Sequence, residues 1–297
     1  MPIPTDPIPQ NLPKSVTLIE VGPRDGFQME KTVIPTQMKV EIIEGLIAAG
    51  FKHIQVTAFV HPDRVPQLAD AETLVKALAK HPDVIYNALV LNTRGLNRAI
   101  AAGMASVEIS VSASDTHSLK NTGVTNARAL NEALEMIRTA RKNGCHIRAG
   151  IQCAFGCAYE GNISQTRVLE MTSRYLSEGI DMLAIADTTG MGTPAMMTDL
   201  LEKILPLAGG VPLVLHLHDT RGLGPANVLA AMTCGVTHFD TALGGLGGCP
   251  FIPGAPGNIG TEKTVDMLHR MNIETGIDSA RVRRCAERVL SLRHLFC

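Results

Sequence analysis

Short β-branched runs, apolar on both faces, alternate along the chain with longer stretches in which apolar residues recur every three or four positions, and the alternation repeats eight times. The predicted strands are Val16–Val21, His53–Phe59, Val84–Val90, Val107–Val111, His146–Cys153, Met182–Ala186, Leu213–His218 and His238–Leu243. Helical periods fall at 36–49, 66–80, 94–102, 126–143, 164–178, 194–206, 223–234 and 261–271. Gly50, Gly103, Gly144, Gly179 and Gly235 stand where helices end in a left-handed residue. Strands buried on both faces and separated by helices predict a parallel sheet, and eight such units predict a closed (β/α)8 TIM barrel rather than an open sheet. Ser279 to Leu295 is left over as an additional C-terminal helix, with a barrel cap or a subunit contact as its two uses. No low-complexity linker divides the chain, so residues 1–297 are expected to form one domain, with 1–14 a proline-rich surface leader.

Composition narrows the class. Hydrophobic content is 45% with no Trp and 3% aromatics, which predicts an aliphatic core. The 27 basic and 28 acidic residues leave a formal net charge of -1, so no global field favours nucleic acid or an anionic membrane. Seven cysteines without paired spacing fit a reducing compartment, and the cytoplasm is expected. The N-terminus lacks a basic region followed by an apolar run, and no apolar run approaches the roughly 20 residues a membrane span needs.

In a barrel of this kind, chemistry collects where strands end and loops begin. Gly22-Pro23-Arg24-Asp25-Gly26 follows the first strand, Ser112-Ala113-Ser114 the fourth, Cys153 to Cys157 the fifth and Asp187-Thr188-Thr189-Gly190 the sixth. The seventh carries His216-Leu217-His218-Asp219, and the eighth feeds a loop rich in Gly and Pro that holds Cys249 and ends at Gly257-Asn258. His216 and His218 lie two apart on a strand, so their rings share one face and converge on one ion. Asp25 and Asn258 add two oxygens, and such a set leaves open positions on an octahedral ion, favouring Mg²⁺ or Mn²⁺ over a closed structural zinc. Arg24, held in a tight turn at the mouth, reads as an oxyanion partner. Asp187 reads equally as a helix cap or a catalytic acid, and Cys153 and Cys157 as packing cysteines.

Six stretches, Ile19 to Gly26, Val65 to Asp70, Tyr159-Glu160-Gly161, Asp187 to Gly190, His216 to Thr220 and Gly245 to Asn258, resemble the 3-hydroxy-3-methylglutaryl-CoA lyase family, in the same order and across nearly the whole chain. The resemblance implies a carbon-carbon lyase that cleaves its acyl-CoA to acetyl-CoA and acetoacetate. It implies Asp25, His216, His218 and Asn258 as ligands of the divalent cation, Arg24 and Cys249 as catalytic residues, and Asp187 or His216 as the base. It further implies substrate contacts from Gln28, Lys31, Gln55, Asn121, Thr188 and Gly248, and a homo-oligomer, dimer or tetramer. The expected mechanism is a retro-Claisen cleavage, with Arg24 stabilising the enolate oxygen and Cys249 protonating the enolate. Two positions depart from the pattern. Gln55 stands where the lyases typically carry glutamate, and Gly150 where nearby families place tyrosine, which predicts extra room beside the acyl group. These departures bring in citramalyl-CoA or a bulkier branched homologue as alternative substrates, and Gln55 also supports a metal-binding barrel without catalysis.

Overall fold

Eight parallel strands pair in chain order and the last closes on the first, as the alternating pattern demands. The computed structural model describes residues 12–247 and 257–295. The strands are β1 (Thr17–Glu20), β2 (His53–Ala58), β3 (Ile85–Val90), β4 (Ser106–Ser112), β5 (His146–Gln152), β6 (Met182–Asp187), β7 (Leu213–Leu217) and β8 (His238–Thr241). The helices are α1 (Thr36–Ala48), α2 (Ala71–Ala77), α3 (Thr93–Ala101), α4 (Asp115–Thr122), α5 (Asn126–Lys142), α6 (Gln165–Ser177), α7 (Pro194–Ala208), α8 (Gly224–Thr233), α9 (Thr261–Arg270) and α10 (Ser279–Leu295). Among the described residues no helix is long and apolar enough to cross a membrane.

The helix expected at 66–80 is two pieces. Pro66–Leu68 makes a single tight turn, and α2 starts only at Ala71. Asp70 breaks the run because its carboxylate is committed to α1, accepting from Thr36 Oγ1 at 2.6 Å and from the buried Lys39 ammonium at 2.6 Å. The short helix α4 was not predicted. Its sequence is polar and only eight residues long, and it is defined by its ends: Ser114 Oγ accepts from the His117 N–H, and Gly123 closes it in the left-handed region at φ 82°.

Barrel closure brings chain ends together. β1 pairs with β8 from Thr17↔His238 to Glu20↔Thr241. The buried Glu20 carboxylate pins this seam, accepting from the backbone N–H groups of Gly22 and Leu243 at 2.8 Å each and from Thr261 Oγ1 at 2.7 Å. Residues 12–14 do not belong to a free leader. Leu12 packs on the core, and Lys14 gives its carbonyl to the Glu274 N–H. The C-terminal helix α10 packs against α1 and α9, burying Val282, Ala286 and Val289, so it serves the barrel flank.

The outward faces of the strands are aliphatic and meet the helices, as with Val107, Ile109 and Val111 on β4. Inside, polar side chains dominate the upper barrel. Gln55, Asn87, Glu108, Arg148 and Asp240 are all buried. In a doubly buried sheet these groups must satisfy one another.

Candidate active site

Immediately beyond β1 the backbone winds through a tight π-helical turn, Gly22–Gly26, which buries both Arg24 and Asp25. Gly26 is required there because a Cβ would come within 2.5 Å of Leu246 Cβ from the loop after β8. The turn aims Asp25 at β7. One ligand atom each from Asp25, His216 and His218 lies within 4.8 Å of the others, and Asp25 Oδ2 is 3.9 Å from His216 Nε2. Asn258 completes the group through an isolated bridge to His218 and a 2.6 Å hydrogen bond from its Nδ2 to Asp25 Oδ2.

The donor set suits a divalent cation. His216 Nδ1 faces Asp240 Oδ2 at 3.0 Å, which fixes the tautomer with the proton on Nδ1 and leaves the Nε2 lone pair toward Asp25. His218 Nδ1 is buried without a hydrogen-bond partner, an orphaned donor or acceptor that a bound ion's shell would account for. Burial, with the neighbouring His216 charge, brings His218 down to about 4, so it stands as a neutral ligand at ordinary pH. Burial opposes ionisation of Asp25, but Arg24, His216 and His218 outweigh it and hold the carboxyl well below its usual range.

Behind these ligands the polar side chains form a closed circuit. Arg24 Nη1 pairs with Asp25, and its Nε donates to Gln55 Oε1. Gln55 Nε2 donates to Glu108 Oε2 at 2.6 Å and to Asn87 Oδ1 at 3.1 Å. Glu108 Oε2 lies 3.1 Å from Arg148 Nε, and Arg148 donates to both oxygens of Asp240, 2.9 Å from Nη1 to Oδ1. Asp240 returns the chain to His216. Despite its burial, Asp240 is brought down to about 2 by Arg148 and by the hydrogen bond with His216.

A cavity of about 410 Å³ opens over this circuit, lined by Arg24, Asp25, Gln28, His216 and His218, and further by Asn121, Thr188, Glu108, Ser110, Arg148 and Gly150. Of the residues singled out from the sequence, Gln28 lines it and donates to Asp25 Oδ1 at 2.9 Å. Asn121 reaches it from α4, and Thr188 lines it while its Oγ1 accepts from the Cys153 N–H at 2.9 Å. Lys31 is exposed and is not among the residues that line the cavity. Gln55 is fully buried beneath the lining rather than in it, and its Oε1 accepts from Arg24 Nε. Gly248 and Cys249 lie outside the described residues.

Asp187 is fully buried and outside the cavity lining, with Oδ1 and Oδ2 accepting the Met191 and Gly192 N–H groups at 2.9 Å each. It is not a helix cap, since Thr193 caps α7 and Asp187 ties down the turn before it; burial raises it to about 6. Gly150 lines the open cavity, and a Cβ there would lie 2.5 Å from Ser110 Oγ and 3.1 Å from Glu108 Oε1, so β4 side chains border the room it leaves. Cys153 and Cys157 are buried as packing residues, and burial pushes the Cys153 thiol up to about 12.

Glu108, Arg148 and Asp240 were missed as functional positions. Their signal was present as a period-2 run of polar residues inside strands otherwise rich in aliphatics, Ser106, Glu108, Ser110 and Ser112 on β4 and Arg148, Gly150 and Gln152 on β5.

A closed parallel barrel with a carboxylate and two imidazoles at its C-terminal mouth, backed by a buried arginine, defines a metal-site TIM-barrel enzyme. The chain belongs to the HMGL-like family, whose match spans residues 15–289. It is 40% identical over 266 residues to the mitochondrial hydroxymethylglutaryl-CoA lyase of Bos taurus, covering 90% of this chain and 82% of that protein. The crystal structure of the HMG-CoA lyase of Bacillus subtilis superposes with a TM-score of 0.91 at 37% identity, covering 95% of each chain. An HMG-CoA lyase of Acinetobacter baumannii, solved in complex with coenzyme A and 3-methylmalate, superposes with a TM-score of 0.90 at 38% identity, covering 95% of this chain and 92% of that one.

Proposed function

We propose that this protein is a divalent-metal-dependent carbon-carbon lyase that cleaves 3-hydroxy-3-methylglutaryl-CoA to acetyl-CoA and acetoacetate. The observation that carries the reading is the convergence of Asp25, His216 and His218 beside Arg24 in one cavity, in a chain with the lyase relatives just described.

Asp25, His216 and His218 would hold the cation, with Asn258 beside them. When bound, Mg²⁺ or Mn²⁺ supplies Lewis acidity that lowers the pKa of a chelated tertiary hydroxyl. In the reaction the hydroxyl proton leaves, the C3–O bond becomes a carbonyl and the C2–C3 bond breaks. Its electron pair passes to C2 and the thioester, giving an enolate that takes a proton at C2. Arg24 lines the cavity with Nε and Nη1 engaged by Gln55 and Asp25, and no partner among the described residues bonds its Nη2. That fixed guanidinium is the donor for the developing enolate oxygen. Gln28 steadies Asp25, and Asn121 and Thr188 line the substrate's path. Cys249 is assigned the proton delivered to C2. The hydroxyl proton is taken by His216 or Asp187, the two groups the resemblance offers as the base; His216 is held by Asp240 through Nδ1, and burial raises Asp187 to about 6.

The test is Mg²⁺- or Mn²⁺-dependent release of acetyl-CoA from a panel of 3-hydroxy-3-methylglutaryl-CoA, citramalyl-CoA and a longer branched homologue. Turnover of the first, abolished by chelation and by Cys249→Ala, is expected. Metal-loaded protein that releases no acetyl-CoA from any of the three would overturn the reading.

A further inference from the structure

The wall of the cavity around Gly150 carries polar atoms that the reaction as described leaves unused. Glu108 is 6% exposed and Ser110 is 9% exposed, and both line the cavity. Glu108 Oε2 is engaged by Gln55 and Arg148, whereas its Oε1 and the Ser110 hydroxyl have no hydrogen-bond partner among the described residues. Both atoms face the space over Gly150, where a Cβ would meet each of them. Ala184 pairs with Gly150 across β5 and β6, and Ala186 follows it on the lining, so the neighbouring wall is made of small side chains. Two nearly buried polar groups turned toward a cavity call for a ligand that satisfies them.

The charges around them select its chemistry. The Arg148 guanidinium beside them already has two carboxylate partners, Asp240 through Nη1 and Nη2 and Glu108 Oε2 at 3.1 Å from Nε, so it is not a cation left over for an anionic group. An ammonium would stand against the like charge of the Arg148 guanidinium, whose Nε lies 3.1 Å from Glu108 Oε2. A neutral hydroxyl meets neither objection, since it donates its one proton to Glu108 Oε1 while accepting from the Ser110 hydroxyl.

We propose that Glu108 and Ser110, leaning over Gly150, form a specificity subsite for a hydroxyl group on the C3 substituent of the acyl chain. The substrate class is then a 3-hydroxyglutaryl-CoA bearing a hydroxyalkyl group in place of methyl. The proposal rests on the lyase reading above. The Gln55 and Gly150 departures acquire a shared purpose: Gln55 donates to Glu108 as glutamate could not, and Gly150 leaves Ser110 and Glu108 their space.

The test compares kcat/KM of the full-length, Mn²⁺-loaded protein on the 3-methyl, 3-ethyl and 3-hydroxymethyl thioesters, the last two being nearly equal in size. The hydroxymethyl compound is expected to exceed the ethyl compound by about tenfold or more, because the ethyl group leaves both polar atoms unpaired. Ser110→Ala is expected to reduce that ratio at least about threefold. Cleavage of the methyl compound with a hydroxymethyl-to-ethyl ratio of one or below, or a ratio untouched by Ser110→Ala, overturns the subsite and leaves the lyase standing. Cleavage of none of the three overturns both.

Discussion

Replacing Asp240 by Asn tests the polar circuit at its most connected point. Asp240 is 1% exposed and uses both carboxylate oxygens, Oδ1 for Arg148 Nη1 and Oδ2 for Arg148 Nη2 and His216 Nδ1. Asparagine offers one oxygen in place of two. If its oxygen takes the Oδ2 position, its NH₂ stands against Arg148 Nη1, donor against donor. If it is turned over, its NH₂ faces both Arg148 Nη2 and His216 Nδ1, and His216 must carry its proton on Nε2, where a cation needs the lone pair. In either pose Arg148 keeps only Glu108 as a counter-ion, at 3.1 Å. Breaking a buried pair on one side costs about 3–5 kcal/mol, and the retained glutamate places Asp240→Asn near the lower end, about 3 kcal/mol. Loss of the histidine's orienting partner lowers metal affinity about 10- to 100-fold. The chain has no Trp, so urea unfolding is followed by circular dichroism, and Mn²⁺ binding by calorimetry at pH 7. A variant within about 1 kcal/mol of wild type with unchanged Mn²⁺ affinity would refute the reasoning.

Three further outcomes are expected. Burial raises Glu20 from 4.5 to about 8, so its contribution to stability is complete below about pH 4.5 and is lost as pH rises toward 8. Glu20→Gln keeps the Gly22 and Leu243 N–H bonds through its oxygen and donates to Thr261, so it should flatten a pH dependence on the order of 2–5 kcal/mol in urea titrations between pH 5 and 8.5. Lys39→Ala removes a fully buried ammonium that donates to Asp70 Oδ1 and to the Gln67 carbonyl at 2.6 Å each, and should cost about 2–4 kcal/mol by the same assay. Mn²⁺ at about 100 times its Kd should stabilise the protein by about 2.7 kcal/mol, reversed by chelation; His218→Ala should abolish that gain, and a full gain in the variant would remove His218 from the site.

The barrel and the candidate cation group were legible for the same physical reason, that both write a short period into the chain. Strand and helix periods announce β1 to β8, and a two-residue spacing puts His216 and His218 on one strand face. What stayed hidden depends on partners distant in sequence. Arg148 meets Asp240 across 92 positions, and nothing near either residue says that the pair is buried or that it orients His216. Gln55 was noticed as a departure, but its burial beneath Arg24 depends on how β1 and β2 sit beside each other. Helix α4 escaped because seven polar residues and one leucine carry no amphipathic stripe, and its two caps define its ends.

Closure of β1 on β8 also sets when the site can exist. Asp25 comes early in the chain, while the histidines and Asn258 come from its last third, so no partial barrel holds a complete set of ligands. Pairing of such remote segments is slow because chain entropy is lost before any contact repays it. Capture of a divalent cation at this site would therefore report the final stitch of folding: a ribosome-bound or refolding chain would gain the complete group only when its first and last strands have met.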